Sequence, residues 1–375
     1  MRLIALVVRA GAVVALGAFG LSLLVDGAER PVAAPVAVDA VEPTPRPPVT
    51  AQVPRRPPTP VPITVVATGD IVLGSTPVVP PVDGRGFFAD VQTDLAGDVV
   101  VGNLEGALAR GVASRCADAI RTCETFRIPP AFAQTLAETG FTVLGLANDH
   151  ADDAGAEGLR QTIEALTAAG VGHTGREGQI TIQRVATADV AILGFGTTAG
   201  AASVVELAAA RRLVRRAARL ADLVVVSMHA GAEGADRQHV ARGVERYQGE
   251  NRGDVVRFAH AVVDAGADLV VGHGPRVLRG MEWYRGRLIA YSLGSFTGYR
   301  VVELGGPLSV AGVLRITLGS DGRFESGQLV ATRLVGPGRP ALDGSGAAHG
   351  VVRTLSREDF GARAVEISAD GLLTR

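Results

Sequence analysis

The stretch LANDHADDAGAEGL, Leu146 to Leu159, decides how this chain is read. Asn148, Asp149 and His150 stand side by side in it. The apolar run Phe141-Thr142-Val143-Leu144-Gly145-Leu146-Ala147 precedes them, and Leu159, Ile163 and Leu166 follow at helical spacing. A buried strand passing through a polar turn into a helix is the repeating unit of an α/β fold. The carboxyl end of such a strand is where these folds place ligands and chemistry.

Four other segments repeat the pattern. Asp70 follows Ile63-Thr64-Val65-Val66-Ala67 in GDIVLG, and Glu105 follows Val99-Val100-Val101 in GNLEG. His229 follows Leu223-Val224-Val225-Val226 in SMHAGAE, and His273 follows Leu269-Val270-Val271 in VGHGPR. Short continuous apolar runs of this kind read as strands buried on both faces. Taken singly, each polar residue reads more readily as a helix cap or a hydrogen-bonded buried His than as a ligand. Five strand ends of one character read as a shared site, and Asp, Glu, Asn and His are the ligand set of hard or borderline divalent metals.

GDIVLG, GNLEG, FRIPP, LANDHADDAGAEGL, the His-Ala-Gly-Ala-Glu run and GHGPRVLRGMEWYRGRLIAYSLGSF occur in that order. In this the chain resembles the CapA family of capsule-synthesis proteins, also described as poly-γ-glutamate biosynthesis proteins, from about Ile63 to Phe296. The resemblance implies an α/β fold of the calcineurin-like metallophosphoesterase superfamily: a sandwich of two mixed sheets flanked by helices, with a divalent metal ion at the strand ends. It implies that Asp70 is the first metal ligand and Glu105 a bridging one, and that His229 and His273 are ligands too. The family's Asn-Asn-His becomes Asn148-Asp149-His150, so Asp149 offers the metal a carboxylate in place of an amide. His150 is then the catalytic proton donor to a leaving oxygen. Asn103, Asn148 and Arg276 are expected to contact substrate.

The chain departs from the family pattern at three places. Ala230 replaces a Trp, Ser295 replaces an Asn, and Arg276 stands where a second His is usual. A guanidinium stays protonated and cannot ligate a cation, so one metal position is expected to be weakened or lost. Two outcomes stay open: Arg276 grips an anionic group of a ligand, or the site has drifted away from catalysis. The function implied is the synthesis, export or attachment of an anionic cell-surface polymer, alongside synthetase or exporter subunits. It proceeds either by metal-dependent hydrolysis of a phosphoester or amide, or through a non-catalytic polymer-binding or anchoring subunit.

Composition narrows the alternatives. The chain has 375 residues, 47% of them hydrophobic, and a formal net charge of -1. No general attraction to nucleic acid follows from such a balance. Lysine is absent, which removes the P-loop Lys and Schiff-base chemistry. There is no G-x-S-x-G nucleophile elbow, and Gly194-Phe195-Gly196 lacks the third Gly of a dinucleotide loop.

Four segments are expected. Residues 1–28 carry Arg2 and Arg9 ahead of an apolar run from Ala10 to Val25. They read as a signal-anchor that places the rest outside the cytoplasm at the cell membrane, with a cleaved signal peptide as the rival. Residues 29–62 form a Pro-rich spacer, extended at about 3.1 Å per residue where it adopts polyproline II. Residues 63–335 form the CapA-like domain, and 336–375 a loop and C-terminal extension, with Gly336 to Gly350 read as the Gly- and Pro-containing loop. Within these, helices are expected over Ala131–Thr139, Gly155–Ala169, Arg252–Ala265 and a short piece near Ser356–Phe360. A β hairpin is expected about Asp321-Gly322, and the Arg211–Arg216 run is expected to form the solvated face of a helix. The two cysteines, Cys116 and Cys123, are expected to form a disulfide in an oxidising compartment.

Overall fold

The computed structural model describes residues 61–116, 123–185 and 188–375. The expected signal-anchor and all but the last two residues of the Pro-rich spacer lie outside the described residues. Among the described residues no helix is long and apolar enough to cross a membrane.

Two mixed sheets lie face to face. The larger runs, edge to edge, Arg339–Leu342, Phe324–Val335, Val310–Leu318, Ile63–Val72, Val99–Leu104, Val143–Gly145 and Gly172–Thr174, with Ser295–Gly298 also pairing on Ile63–Val72. The smaller runs Met281–Tyr284, Arg287–Ala290, Leu269–His273, Leu223–His229, Ala188–Phe195 and Thr181–Val185. Their inner faces meet through alternate residues: Val65, Ala67, Val99, Val101 and Val143 from one sheet, Val190, Ile192, Val225, Leu269 and Val271 from the other. The residues between them in sequence, Val66, Val100 and Leu144, face outward onto the helices Phe132–Thr139 and Gly155–Ala168 through Phe132, Leu136, Leu159 and Leu166. Val224, Val226 and Val270 do the same against Leu207–Ala217 and Val255–Val263. Both faces of the central strands are therefore apolar, which is why they read as unbroken Val-rich runs.

The central strands of each sheet are parallel, so their carboxyl ends point the same way. Asp70 pairs with Asn103 across one ladder, and His273 pairs with His229 across another. Gly69 lets the first strand pass close to the segment that leads into Ser295. A Cβ there would lie 1.9 Å from the Gly294 carbonyl oxygen.

Local expectations fare unevenly. The helices at Phe132–Thr139 and Gly155–Ala168 and the hairpin Val310–Leu318/Phe324–Val335 are present. Arg211, Arg212, Arg215 and Arg216 are exposed around the buried Val214. The helix expected from Arg252 begins at Val255, because Asp254 caps it by accepting from Arg257 N at 3.0 Å. Arg252 itself is left in a loop.

The C-terminal stretch departs further. Gly336 to Gly350, read as a loop, contains the strand Arg339–Leu342 and the start of the helix Ala347–Phe360. Pro340 is tolerated because that strand is the sheet's edge. The helix is far longer than its expected last turn and sets Ala348 and Val352 into the inter-sheet core.

Candidate functional site

The strand ends meet in one buried constellation. Asp70 is 1% exposed. Its Oδ1 accepts from Asn103 Nδ2 at 2.8 Å and lies 3.6 Å from His273 Nδ1, while its Oδ2 accepts from Gly274 N at 3.3 Å. That last contact needs Gly274, whose φ of 105° belongs to glycine. Asn103 Nδ2 also reaches His229 Nδ1 at 3.2 Å, and Asn103 Oδ1 accepts from Asn148 Nδ2 at 3.0 Å. Asn148 donates again to the Leu104 carbonyl at 2.8 Å. The two Asn side chains thus act here as braces between strand ends.

Asp149 and His150 diverge from their shared turn. Asp149 lies 3.0 Å from His229 Nε2 through one oxygen and accepts from Arg252 at 3.0 Å through the other. His150 is held through Nδ1 by Asp153 at 2.9 Å, with the Phe126 ring 4.2 Å away, centroid to centroid. Asp153 is buried and also binds Phe126 N at 2.5 Å and Arg115 at 2.9 Å.

Two guanidiniums complete the site. Arg276 binds Glu105 at 2.8 Å and Glu233 at 3.1 Å, and its Nη2 lies 3.3 Å from His150 Nε2. Arg252 is 1% exposed and binds Asp149 at 3.0 Å and Glu233 at 2.9 Å, beside His229 Nε2 at 3.2 Å. Ser295, in place of the family's Asn, donates to the Arg276 carbonyl at 3.1 Å. A cleft of about 370 Å³ opens onto this floor, lined among others by Asp149, His150, Glu233, Arg252 and Arg276, with Arg115 and Tyr247 at its sides.

Burial and pairing set the charge states. Burial, with the charge of Glu105 added, pushes the Asp70 carboxyl up to about 7. Burial works to raise Asp149 as well, but the hydrogen bond and charge of His229, together with Arg252, hold it well below the carboxylate range. For His150 burial acts downward, and the bond to Asp153 and the charge of Glu105 outweigh it, so the imidazole is raised. His229 is raised in the same way by Asp149. His273 has no such partner; burial and the charge of His229 drive it down to about 3, leaving a neutral ring.

The donor set fits a divalent cation. One oxygen or nitrogen each of Asp70, Glu105 and His229 lie within 4.8 Å of one another. Glu105 Oε2 and both ring nitrogens of His273 are buried without a hydrogen-bond partner. Buried polar atoms are rarely left so, and a neutral imidazole beside carboxylates is a normal metal environment.

All the sequence-read residues lie in or against this constellation, and Cys116 and Cys123 form a disulfide next to Arg115, the partner of Asp153. Sequence reading passed over Asp153, Glu233 and Arg252. The first two sit inside motifs already quoted, Asp153 one helical turn from His150 and Glu233 four residues past His229. Arg252 gives no local signal at all.

The family model described as bacterial capsule synthesis protein PGA_cap matches residues 64–299. The chain belongs to this family of bacterial capsule-synthesis proteins. Among curated relatives, it is 35% identical over 179 residues to the capsule biosynthesis protein CapA of Bacillus anthracis, covering 42% of this chain and 40% of that one. It is 31% identical over 222 residues to the PGA biosynthesis protein CapA of Bacillus subtilis, covering 54% and 53%. A probable polyglutamine synthesis accessory protein of Mycobacterium tuberculosis is 30% identical over 57% of this chain and 60% of its own length. The chain thus spans about half the length of the curated relatives it matches. Among solved structures, a 5'-nucleotidase precursor from Thermus thermophilus aligns over 80% of this chain and 59% of its own at 14% identity, with a TM-score of 0.39. A likeness that distant says nothing of activity.

Proposed function

We propose that this chain serves the synthesis, export or attachment of an anionic cell-surface polymer of the poly-γ-glutamate class, and that it does so through hydrolysis at the cleft lined by Asp149, His150 and Arg276. The observation that carries the reading is the His150 arrangement inside a domain of this family. Asp153 holds Nδ1, Phe126 covers the ring, and Nε2 is directed toward Glu105 and Arg276 at the cleft floor. Asp153 and Glu105 push this imidazole toward its protonated form, and pinned in this way it is placed to deliver a proton to a leaving group. Arg276, paired to two carboxylates yet facing the cleft, orients an anionic group of the polymer. Asp70, Glu105, His229 and His273 would hold the divalent cation. Bound there, it supplies Lewis acidity that polarises a carbonyl or phosphoryl oxygen.

A second reading, a polymer-binding or anchoring subunit without turnover, is favoured by Arg276 itself, a guanidinium where the family usually has an imidazole. The N-terminal apolar segment supports tethering to the cell membrane with the folded domain outside the cytoplasm. The Cys116–Cys123 disulfide suits that compartment. The test is to incubate the full-length chain with poly-γ-glutamate, with and without chelator, and follow both polymer length and retention on immobilised protein. Cation-dependent shortening supports hydrolysis. Retention without shortening favours the anchoring reading, and neither result removes the polymer assignment.

A further inference from the structure

The donor groups of the site define three overlapping triads: Asp70, Glu105 and His229; Glu105, Asp149 and His150; and Asp149, His229 and Glu233. In two of the three a single guanidinium spans at least two members, whereas the first is touched only singly, by Arg276 at Glu105 and by Arg252 at His229 Nε2. The Arg252 guanidinium lies 3.0 Å from Asp149, 2.9 Å from Glu233 and 3.2 Å from His229, touching every member of the third triad. The Arg276 guanidinium lies 2.8 Å from Glu105 and 3.3 Å from His150 in the second, and reaches Glu233 as well. No guanidinium contacts Asp70, His229 Nδ1 or His273 among the described residues. Asp149 Oδ1, Glu233 Oε1 and Arg276 Nε also lack a well-aligned hydrogen bond, yet each has an oppositely charged neighbour at 2.9 to 3.1 Å. Glu105 Oε2 and both nitrogens of His273, which is 1% exposed, have no neighbour so close.

We infer that this site takes a single divalent cation, at Asp70, Glu105, His229 and His273, and that Arg252 and Arg276 are built-in replacements for a second. Charge supports the count. Asp153 and a protonated His150 balance each other, and Asp70, Glu105, Asp149 and Glu233 carry four further negative charges when ionised. Arg252 and Arg276 offset two of them and one divalent cation offsets the rest. A second cation would leave an excess of positive charge in a buried space, which low polarisability makes costly. The backbone agrees: Arg276 has a φ of 62°, in a region that bulky residues occupy only where the surroundings hold them. A side chain anchored by two carboxylates at the cost of a strained backbone is fixed in place there. Admitting an ion in its place would break both carboxylate pairs.

The inference concerns how many ions bind and does not depend on whether a polymer is cut. The experiment loads the full-length chain with Mn2+ by equilibrium dialysis, measures bound metal by mass spectrometry and records the electron paramagnetic resonance spectrum. One ion per chain with an uncoupled six-line Mn2+ signal is expected. Arg276→His should gain a second ion and the broadened signal of an exchange-coupled pair. Two ions on the native chain, or none, overturn the inference. So does an Arg276→His chain that folds by circular dichroism yet still binds one. If that variant does not fold, the native stoichiometry decides alone.

Discussion

Two arginines three residues apart, the partly exposed Arg276 and the fully buried Arg279, meet their glutamates in opposite ways. Arg279 is 0% exposed and forms a closed pair: both its terminal nitrogens bind Glu245, at 2.8 and 2.7 Å, and the Arg237 and Ala232 carbonyls take its remaining bonds. One positive charge meets one negative charge, and nothing is left over. Arg276 divides its bonds between Glu105 and Glu233, each of which has other neighbours, and it faces a cleft. In that region carboxylates outnumber guanidiniums, and Glu105 Oε2 and His273 stay unpartnered. A buried charge pair that closes on itself is architecture, whereas one that leaves donors and acceptors open is a place to bind something.

The largest effect should come from breaking the closed pair. Arg279→Ala strands the Glu245 carboxylate and should cost about 3–5 kcal/mol in urea unfolding. Added Mn2+ should recover none of that loss beyond the increment it gives the native chain. A loss under about 1 kcal/mol would show that Arg279 and Glu245 are not the sealed unit described, since such small values belong to exposed pairs.

The open region should instead respond to cations. At about a hundred times the dissociation constant, Mn2+ should stabilise the native chain by about 2.7 kcal/mol, seen as a rise in the thermal midpoint. His273→Ala should lose most of that rise. An undiminished shift in the variant would place the cation elsewhere.

Opening the Cys116–Cys123 disulfide comes next. Its loop is short, so chain entropy limits the loss in the double Ser variant to about 2.5 kcal/mol. Alkylation of non-reduced protein followed by mass spectrometry should find neither thiol modified, and labelling of both would remove the disulfide and weaken the assignment to an oxidising compartment.

The smallest effect, taken per pH unit, is in pH. Asp70 sits at about 7 in the folded protein against an ordinary 3.8. A cation must therefore displace its proton at any pH below about 7, and its apparent affinity should fall as pH falls, by about tenfold per unit, or 1.4 kcal/mol. His273, at about 3, adds nothing in that window. The same raised carboxyl stabilises the chelator-treated fold most below pH 3.8, and that contribution is lost as pH rises through about 7. An affinity flat between about pH 5 and 7 would mean that Asp70 is not a ligand.

Much of this was written locally in the chain. Val-rich runs ending in Asp70, Glu105, Asn148-Asp149-His150, His229 and His273 announce buried parallel strands with polar carboxyl ends, because a strand buried on both faces has no other place for a charge. The same local logic located the helices Phe132–Thr139 and Gly155–Ala168. It failed from Gly336 to Gly350, where Gly and Pro suggested a loop although the edge of a sheet accepts a strand there.

What only the tertiary structure decided is how the charges are shared. Arg252 stands 103 positions from Asp149, and Arg276 stands 171 from Glu105. Neither spacing follows a helical or strand period, so no pattern in the sequence links the partners. The sequence determined that carboxylates and imidazoles would gather where the parallel strands end. Which of them keep a free lone pair, and which are already neutralised by a guanidinium, was decided only when the two sheets packed face to face and brought distant loops over one floor. Burial magnifies each such pairing, because a charge withdrawn from water must find its balance among the groups within a few ångströms of it.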